Sequence, residues 1–530
     1  MNLITDPWIP VRLADGTRTT IRPAGITAQD NPPVALDAPR ADFNGALAQF
    51  LIGLLQTTFV PRDDDEWIER LEEPPSIETL DQAFSVHADA FVLDGEGPRF
   101  MQDASVMDEK YDLRTIDGLL IETNETHFNK PGRIKHLCPE CAAVALFTLQ
   151  INAPEGGRGH YTSIRGGGPL TTLLKLDESN GTAATLWDHI WLNVLPTAHR
   201  ASENAEAIFP WLTPNRFIKA TIGSYVYPED IPFEHYYWCM PRRILLQAEL
   251  QPNRSCDLCD NVTDTGYSGY YTRPNGIHYA KEPVWNHPLS PHLLRGKTKD
   301  PQVEHPQPGG ITYRHWLGYV IGSGKDQDAV INAQNIRHFL TLKTTEEQCI
   351  VWAFGYDMKS NKARCWYEST LPLYQVPKKI QERFTLRVKT IVQAAEEVAS
   401  ALQDCIKDAL ASDQTLKQAK KSKSLQAALK QYQSWIRDSF YQHTETDFYA
   451  RLPRLIERIP QDQDRSVLAE WHQTLQSAAL ALFDEWTTRG DLAFGDPARV
   501  ARAHDKLRKQ LNSKKLKQIL SLPTTREKAA

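Results

Sequence analysis

At 530 residues the chain exceeds what one core ordinarily fills, so two or three domains are expected. Its formal charge of −6 excludes a global basic field, and any nucleic-acid contact has to use local patches. Eight cysteines in so long a chain, four of them in two CxxC pairs, exclude a disulfide scaffold and predict a cytoplasmic protein; no apolar run is long enough to span a membrane.

The start alternates like a strand through Leu3, Trp8, Ile9 and Val11, then turns at Asp15-Gly16. Phe43, Leu47, Phe50, Leu51 and Leu54 recur at spacings of three and four, which predicts a helix from Asp42 to Thr57. Pro61 stops it, and the run Asp63-Asp64-Asp65 caps a second helix over 66–71. Between 72 and 120 Pro and Gly break the chain into short pieces. An exposed loop follows at His127-Phe128-Asn129, and Cys141 to Ile151 reads as a buried helix. The stretch 205–300, rich in Pro, Trp and Tyr, suits irregular structure packed on a scaffold.

Near residue 380 the texture changes. A helical stripe runs from Leu386 to Leu410, followed by helical stretches over 423–458 (with a break near His443), 464–488 and 497–520. Short polar separators and the scarcity of Gly predict an antiparallel bundle. The expected fold is therefore α+β, with a mixed α/β domain over 1–378 and an all-α four-helix bundle over 379–530.

The pairs Cys138/Cys141 and Cys256/Cys259 can supply a tetrahedral four-cysteine zinc site. More than a hundred residues separate them, so the ion would staple distant segments instead of folding a compact ribbon. Two unrelated CxxC pairs, one of them redox-active, is the competing reading. Four thiolates leave no open position for water, and the HxE of a nucleobase deaminase occurs only downstream, at His443-Thr444-Glu445. The zinc is thus expected to be structural and the chain not an enzyme.

Gly156-Gly157-Arg158-Gly159 and Arg165-Gly166-Gly167-Gly168 match neither a Walker A loop nor a dinucleotide fingerprint. Gly-rich backbone can approach a polyanion or groove closely, with Arg158 and Arg165 supplying charge; a solvated turn cluster accounts for it equally. His127, Phe128 and Asn129 offer stacking and hydrogen bonding to an unpaired base, or form an ordinary loop. Lys417, Lys420, Lys421 and Lys423 make one basic cluster. Arg499, Arg502, Lys506, Arg508 and Lys509, with Lys514, Lys515 and Lys517, make a denser one that suits a DNA-backbone stripe or a solvated helix face.

Taken together, these pieces resemble the CasA family, large subunits of the type I-E CRISPR Cascade surveillance complex. The resemblance rests on Trp8-Ile9-Pro10-Val11, Pro98-Arg99-Phe100-Met101-Gln102, Asn129-Lys130-Pro131-Gly132 and Cys138-Pro139-Glu140-Cys141-Ala142. It continues through Ala153-Pro154, Arg165-Gly166-Gly167, Cys256 to Cys259, Gly266-Tyr267-Ser268-Gly269 and Trp285 to Pro291. It implies a non-catalytic, cytoplasmic antiviral-defence subunit, one copy per complex, that recognises the protospacer-adjacent motif (PAM) in double-stranded DNA. It further implies duplex opening and R-loop formation, recruitment of a helicase-nuclease, and partnership with other Cascade subunits and CRISPR RNA. A zinc-dependent nucleic-acid-modifying enzyme and a purely structural assembly subunit are the alternatives.

Carried over residue by residue, the family's loop for docking onto the RNA handle falls on His127, Phe128 and Asn129, with the aromatic displaced by one place. Its glycine loop falls on Gly157, Arg158 and Gly159, with Arg158 where Gly is usual. Arg273 stands near the family's lysine finger, and Asn332-Ala333-Gln334 near its glutamine wedge.

Overall fold

The computed structural model describes the chain except residues 109, 122–129, 158, 182, 198–201, 214–224, 283, 296–299, 324–328, 343–347, 360–361, 413–417, 419–420, 489–495 and 524–530. Its contacts divide into two compact units. The first is Met1–Pro308 with Gly324–Thr370, and the second is Gly309–Ser323 with Leu371–Ala530.

The first unit is α+β. Its described strands form four three-stranded sheets: β2 (Arg18–Ile21), β1 (Ile9–Leu13) and β3 (Pro33–Leu36); β4 (Asp112–Thr115), β7 (Val262–Arg273) and β6 (Arg243–Ser255); β12 (Lys362–Pro372), β11 (Cys349–Lys359) and β5 (Thr171–Leu176); β10 (Val330–Ile331), β8 (His292–Arg295) and β9 (Asp300–Val303). The core centres on helix α1, Ala41–Thr58, which has the bounds its apolar spacing predicts to within a residue. Phe50 of α1 meets the rings of Trp8, Phe91, Phe100, Phe147 and Trp238 edge-on, at centroid distances of 5.2 to 6.0 Å. Edge-to-face packing sets the positive ring edges against negative faces, adding directional attraction to the burial term. Trp8 and Trp238 settle their indole N–H groups on Leu3 O and Thr57 Oγ1 at 2.8 and 2.9 Å, so neither carries an unpaired donor into the core. Asp63 caps α2 (Asp64–Glu72) by accepting from Glu66 N, as the acidic run predicts. Ser76 caps α3 (Ile77–Ser85) in the same manner.

Helix α4, Pro139–Asn152, is buried on nearly every face, and the shorter helices α5 (Leu186–Trp191) and α6 (Gln334–Thr341) belong to the same unit. The ribbon β6–β7 pairs antiparallel from Arg243↔Arg273 to Ser255↔Val262, interrupted by two bulges.

The second unit is helical. Helices α7 (Gln381–Leu410), α8 (Lys423–Arg458), α9 (Asp464–Thr488) and α10 (Pro497–Leu511) pack together, and a short α11 (Lys514–Ile519) follows. Two expectations need correction here. Helix α8 runs unbroken past His443, because Ile436, Phe440, Tyr441, Thr444 and Phe448 keep one buried face at helical spacing through that point. The stretch 497–520 is two helices, because Ser513 leaves the helical path to cap α11 through Leu516 N. Leu386 begins the predicted apolar stripe but is 58 % exposed; burial starts at Phe384 and Val388 instead.

Residues 309–323, which the sequence texture groups with the first domain, pack within the helical unit. Tyr313 stacks on Phe448 at 4.4 Å and hydrogen-bonds Thr444 Oγ1 at 2.9 Å, while Trp316 donates to Pro372 O at 2.6 Å. The contacts of Tyr313 link positions more than a hundred residues apart, which no local pattern announces.

Candidate metal centre and nucleic-acid interface

The sequence Cys138-Pro139-Glu140-Cys141 builds a helix start. Cys138 is the cap residue of α4, Pro139 takes the first helical position where no N–H is needed, and Cys141 N donates to Cys138 Sγ at 3.4 Å. The second pair lies at the tip of the β6–β7 ribbon. Cys256 N donates to Asn261 O at 2.9 Å and Asp260 N to Cys256 O at 3.0 Å, with Asp260 in the left-handed region at φ 62°. The four Sγ atoms lie within 4.8 Å of one another, Cys138 and Cys259 at 3.5 Å. A tetrahedron of thiolates about 2.3 Å from one ion places its sulfurs about 3.8 Å apart, so the set fits a single four-coordinate metal. The two CxxC pairs therefore belong to one site.

Left to themselves the thiols divide. Hydrogen bonds from Cys138 and Cys141 hold Cys259 below its ordinary value, while bonds to Cys141, Cys256 and Cys259, with burial, push Cys138 up. A divalent cation removes that division by favouring four thiolates at once.

Residues outside the motif fix the knuckles against each other. Asp257 accepts from Lys135 N and His136 N at 2.6 and 2.9 Å and returns its own N–H to His136 O at 3.0 Å. Leu137 and Tyr267 exchange both backbone bonds, at 3.0 and 2.9 Å. The His136 ring is fully buried and packs on Gly266, where any Cβ would lie 2.0 Å from it. Sequence reasoning gave no role to His136, Asp257 or Gly266, although Asp257 stands inside the second CxxC and Gly266 opens the quoted Gly266-Tyr267-Ser268-Gly269 run.

From this clamp, α4 and the ribbon both lead to the glycine tract. Beyond Asn152 the chain enters a tight turn in which Gly156 N donates to His160 O and His160 N to Gly157 O, each at 3.0 Å. Gly157 has φ +95°, is exposed, and nothing lies within 4 Å of where its Cβ would stand. Gly159, at φ +79°, is a different case: a Cβ there would stand 2.5 Å from Pro274 Cβ, and its carbonyl accepts from Asn275 N at 2.7 Å. The turn following Arg273 at the end of β7 therefore rests directly on the glycine turn. Arg273 itself is half-buried and donates to Ser105 O at 3.4 Å. Arg158 lies outside the described residues, as do His127, Phe128 and Asn129.

Several expected cations and polar groups are engaged internally. Arg165 is buried, bonded to Gln49 Oε1, Thr171 Oγ1 and Ser290 Oγ at 2.5, 3.0 and 3.1 Å, and burial pushes it down to about 10. It fixes the core and offers no charge to a polyanion. Asn332 is buried, whereas Gln334 opens α6 half-exposed, its N–H on Pro288 O at 2.9 Å. Arg499 donates to Ala409 O in the last turn of α7, Lys506 pairs with Asp408 and Lys509 with Asp505, both at 2.7 Å. Arg502 and Arg508 are exposed. Lys421 and Lys423 are exposed too, and Lys417 and Lys420 lie outside the described residues.

A family model described as CRISPR-associated protein Cse1 matches residues 2–482. Among solved structures, the chain is similar to Thermus thermophilus CasA (Cse1), at 17 % identity and TM-score 0.66, covering 98 % of this chain and 99 % of that one. Cse1 from Acidimicrobium ferrooxidans gives 17 % identity and TM-score 0.67, covering 98 % of each chain. A chain of a CRISPR RNA-guided surveillance complex gives 14 % and 0.64, covering 97 % of this chain and 99 % of that one.

Proposed function

This chain belongs to the CRISPR-associated protein Cse1 (CasA) family, and we propose that within an RNA-guided surveillance complex it reads the short duplex motif flanking the target. In such a division of labour, base pairing with the guide reads the target sequence and protein loops inspect the motif. The observation that carries this reading is the seating of the Arg273–Asn275 turn on the glycine turn, which brings together two segments distant in sequence and both expected to face DNA. Gly157 supplies exposed backbone with room for close approach. Arg158 or Arg273 supplies charge, and Gln334 the wedge at the first pair to open, where unstacking costs a few kcal/mol. His127, Phe128 and Asn129 dock the subunit on the guide RNA's handle, and the helicase-nuclease is recruited after the duplex opens. Zinc at Cys138, Cys141, Cys256 and Cys259 is structural, since four thiolates fill its tetrahedron, and the chain itself is non-catalytic.

The test is binding by the reconstituted particle to matched targets that differ only in the flanking motif, at two salt concentrations. Gly157→Val should lose preference for the correct motif, by roughly 1–3 kcal/mol per base pair misread. Arg158→Ala should weaken all duplexes alike and lower the salt slope by about one. Equal discrimination by wild type and Gly157→Val would end the reading of this turn as the motif reader. Gly159→Val is unsuitable, because its side chain would collide with Pro274 and displace the turn from within.

A further inference from the structure

Beside the glycine turn lies an aromatic cleft that the motif-reading role leaves unused. Tyr161 and His278 stack with centroids 3.8 Å apart and planes 4° from parallel, and Tyr225 covers the stack with its centroid 4.2 Å from that of His278. Backbone pairing sets these segments side by side: Val226 N donates to His278 O, and Ala280 N to Val226 O, each at 2.9 Å. Unlike the rings around Phe50, this stack stays open. Tyr225 and Tyr227 are 47 % and 37 % exposed, and a cleft of about 600 Å³ runs along them, lined also by Gly157, Gly159, Lys281 and Glu282.

Two exposed tyrosines bordering an open cleft leave apolar ring faces in water, and a flat ring laid on them removes that surface. Every nucleobase has such a face, so aromatic platforms take unpaired bases with little regard to sequence. The imidazole in the stack is neutral near pH 7, because burial and then Lys281 hold its pKa below the ordinary value, so the stack itself carries no charge that would favour a bare anion. Its Nδ1 is buried and has no hydrogen-bond partner among the described residues. Lys281 is exposed and can meet a phosphate, and Glu282 can accept from an exocyclic amine.

We propose that this cleft is a stacking site for one unpaired nucleobase, seated on the face of Tyr225 turned away from His278, with Lys281 at the adjoining phosphate. The inference rests on the reading that the glycine turn faces DNA and extends it: a strand opened beside the turn finds a receptor for its first unpaired base. The occupant is nucleic acid and not a peptide, because the exposed Tyr225 ring, tilted 41° on His278, offers a flat face beside Lys281, whereas the described residues of this wall belong to no named strand that could pair with an extended chain.

The experiment measures fluorescence anisotropy of a labelled oligothymidylate and of an abasic strand of equal length, using the full metal-loaded chain. Wild type should bind the base-bearing strand roughly tenfold more tightly, the preference one stacked base supplies. Tyr225→Ala should lose that preference, Tyr225→Phe should keep it, and Lys281→Ala should weaken both strands alike. Equal affinity of wild type for the two strands overturns the proposal, as does a preference that survives in Tyr225→Ala. Displacement of the oligonucleotide by a proline-rich peptide at the same Tyr225-dependent site would assign the cleft to a protein partner and likewise overturn it. The motif-reading role fails on a different result, equal motif discrimination by wild type and Gly157→Val on duplex targets, which single strands do not report.

Discussion

Asp464 opens helix α9 with no accessible side-chain surface, and both Arg383 and Arg387 of α7 bond its carboxylate. Burial alone would raise this carboxyl; the hydrogen bonds from Arg387 and Arg383, with their charges, outweigh it and hold the pKa below the ordinary value. A depressed carboxylate contributes stability that is present above its unfolded value of about 4 and is lost as pH falls through the lower folded value. Asp464→Asn should therefore cost about 2 kcal/mol at neutral pH, less than a fully buried pair because Arg383 remains 38 % exposed. The same variant should lose part of the acid sensitivity of unfolding below about pH 4. Calorimetry at neutral and acid pH checks both; an unchanged midpoint at neutral pH refutes the assignment. The sequence shows Asp464 only as a helix-opening acid. That two arginines of another helix converge on it follows from packing. Arg165 is the mirror case, a cation in a Gly-rich tract that reads as exposed until Gln49 and Ser290, distant in sequence, enclose it.

Among the elements, α4 and the β6–β7 ribbon act as a pair of struts. At one end the four cysteines join them, and at the other the glycine turn after α4 meets the Pro274–Asn275 turn after β7. The 14 residues of α4 place those ends about 21 Å apart. Removing the metal with a chelator, or substituting Cys256→Ser, should release the exchange between Leu137 and Tyr267 and loosen Asn275 on Gly159. Hydrogen exchange should then rise at least about tenfold in peptides covering 135–141, 256–267 and 275, and stay unchanged in α7 and α9. Unaltered exchange near the cysteines would exclude a structural metal. Both CxxC pairs and the helix after the first were legible, because thiol spacing and apolar runs are local. What holds the knuckles together was not, since Asp257 meets Lys135 and His136 across a separation of more than a hundred residues. The aromatic cleft escaped for the same reason: Tyr161, Tyr225 and His278 are ordinary singly and acquire a shared face only in the fold.

For the whole molecule, the chain passes between its two units three times, and the helical unit holds a segment borrowed from upstream. A fragment covering 371–530 lacks Tyr313 and Trp316, leaving Phe448 and Thr444 without the ring and hydroxyl that cover them. That fragment should melt lower and with weaker near-ultraviolet circular dichroism than the same unit in the full chain. Adding a peptide of residues 309–323 should recover part of the loss. If the fragment alone melts as the intact unit does, the segment is dispensable.

The borrowed segment also bears on how the protein is made. Tyr313 is synthesised 131 residues before Thr444. At ribosomal rates of about 5–20 residues per second, that is an interval of roughly 7–26 s. Throughout it, Tyr313, Trp316, Leu317 and Val320 have no bundle to enter. Slowing translation across 380–440 should lengthen that exposure and raise the aggregation of nascent chains, whereas equal slowing across 1–60 should not.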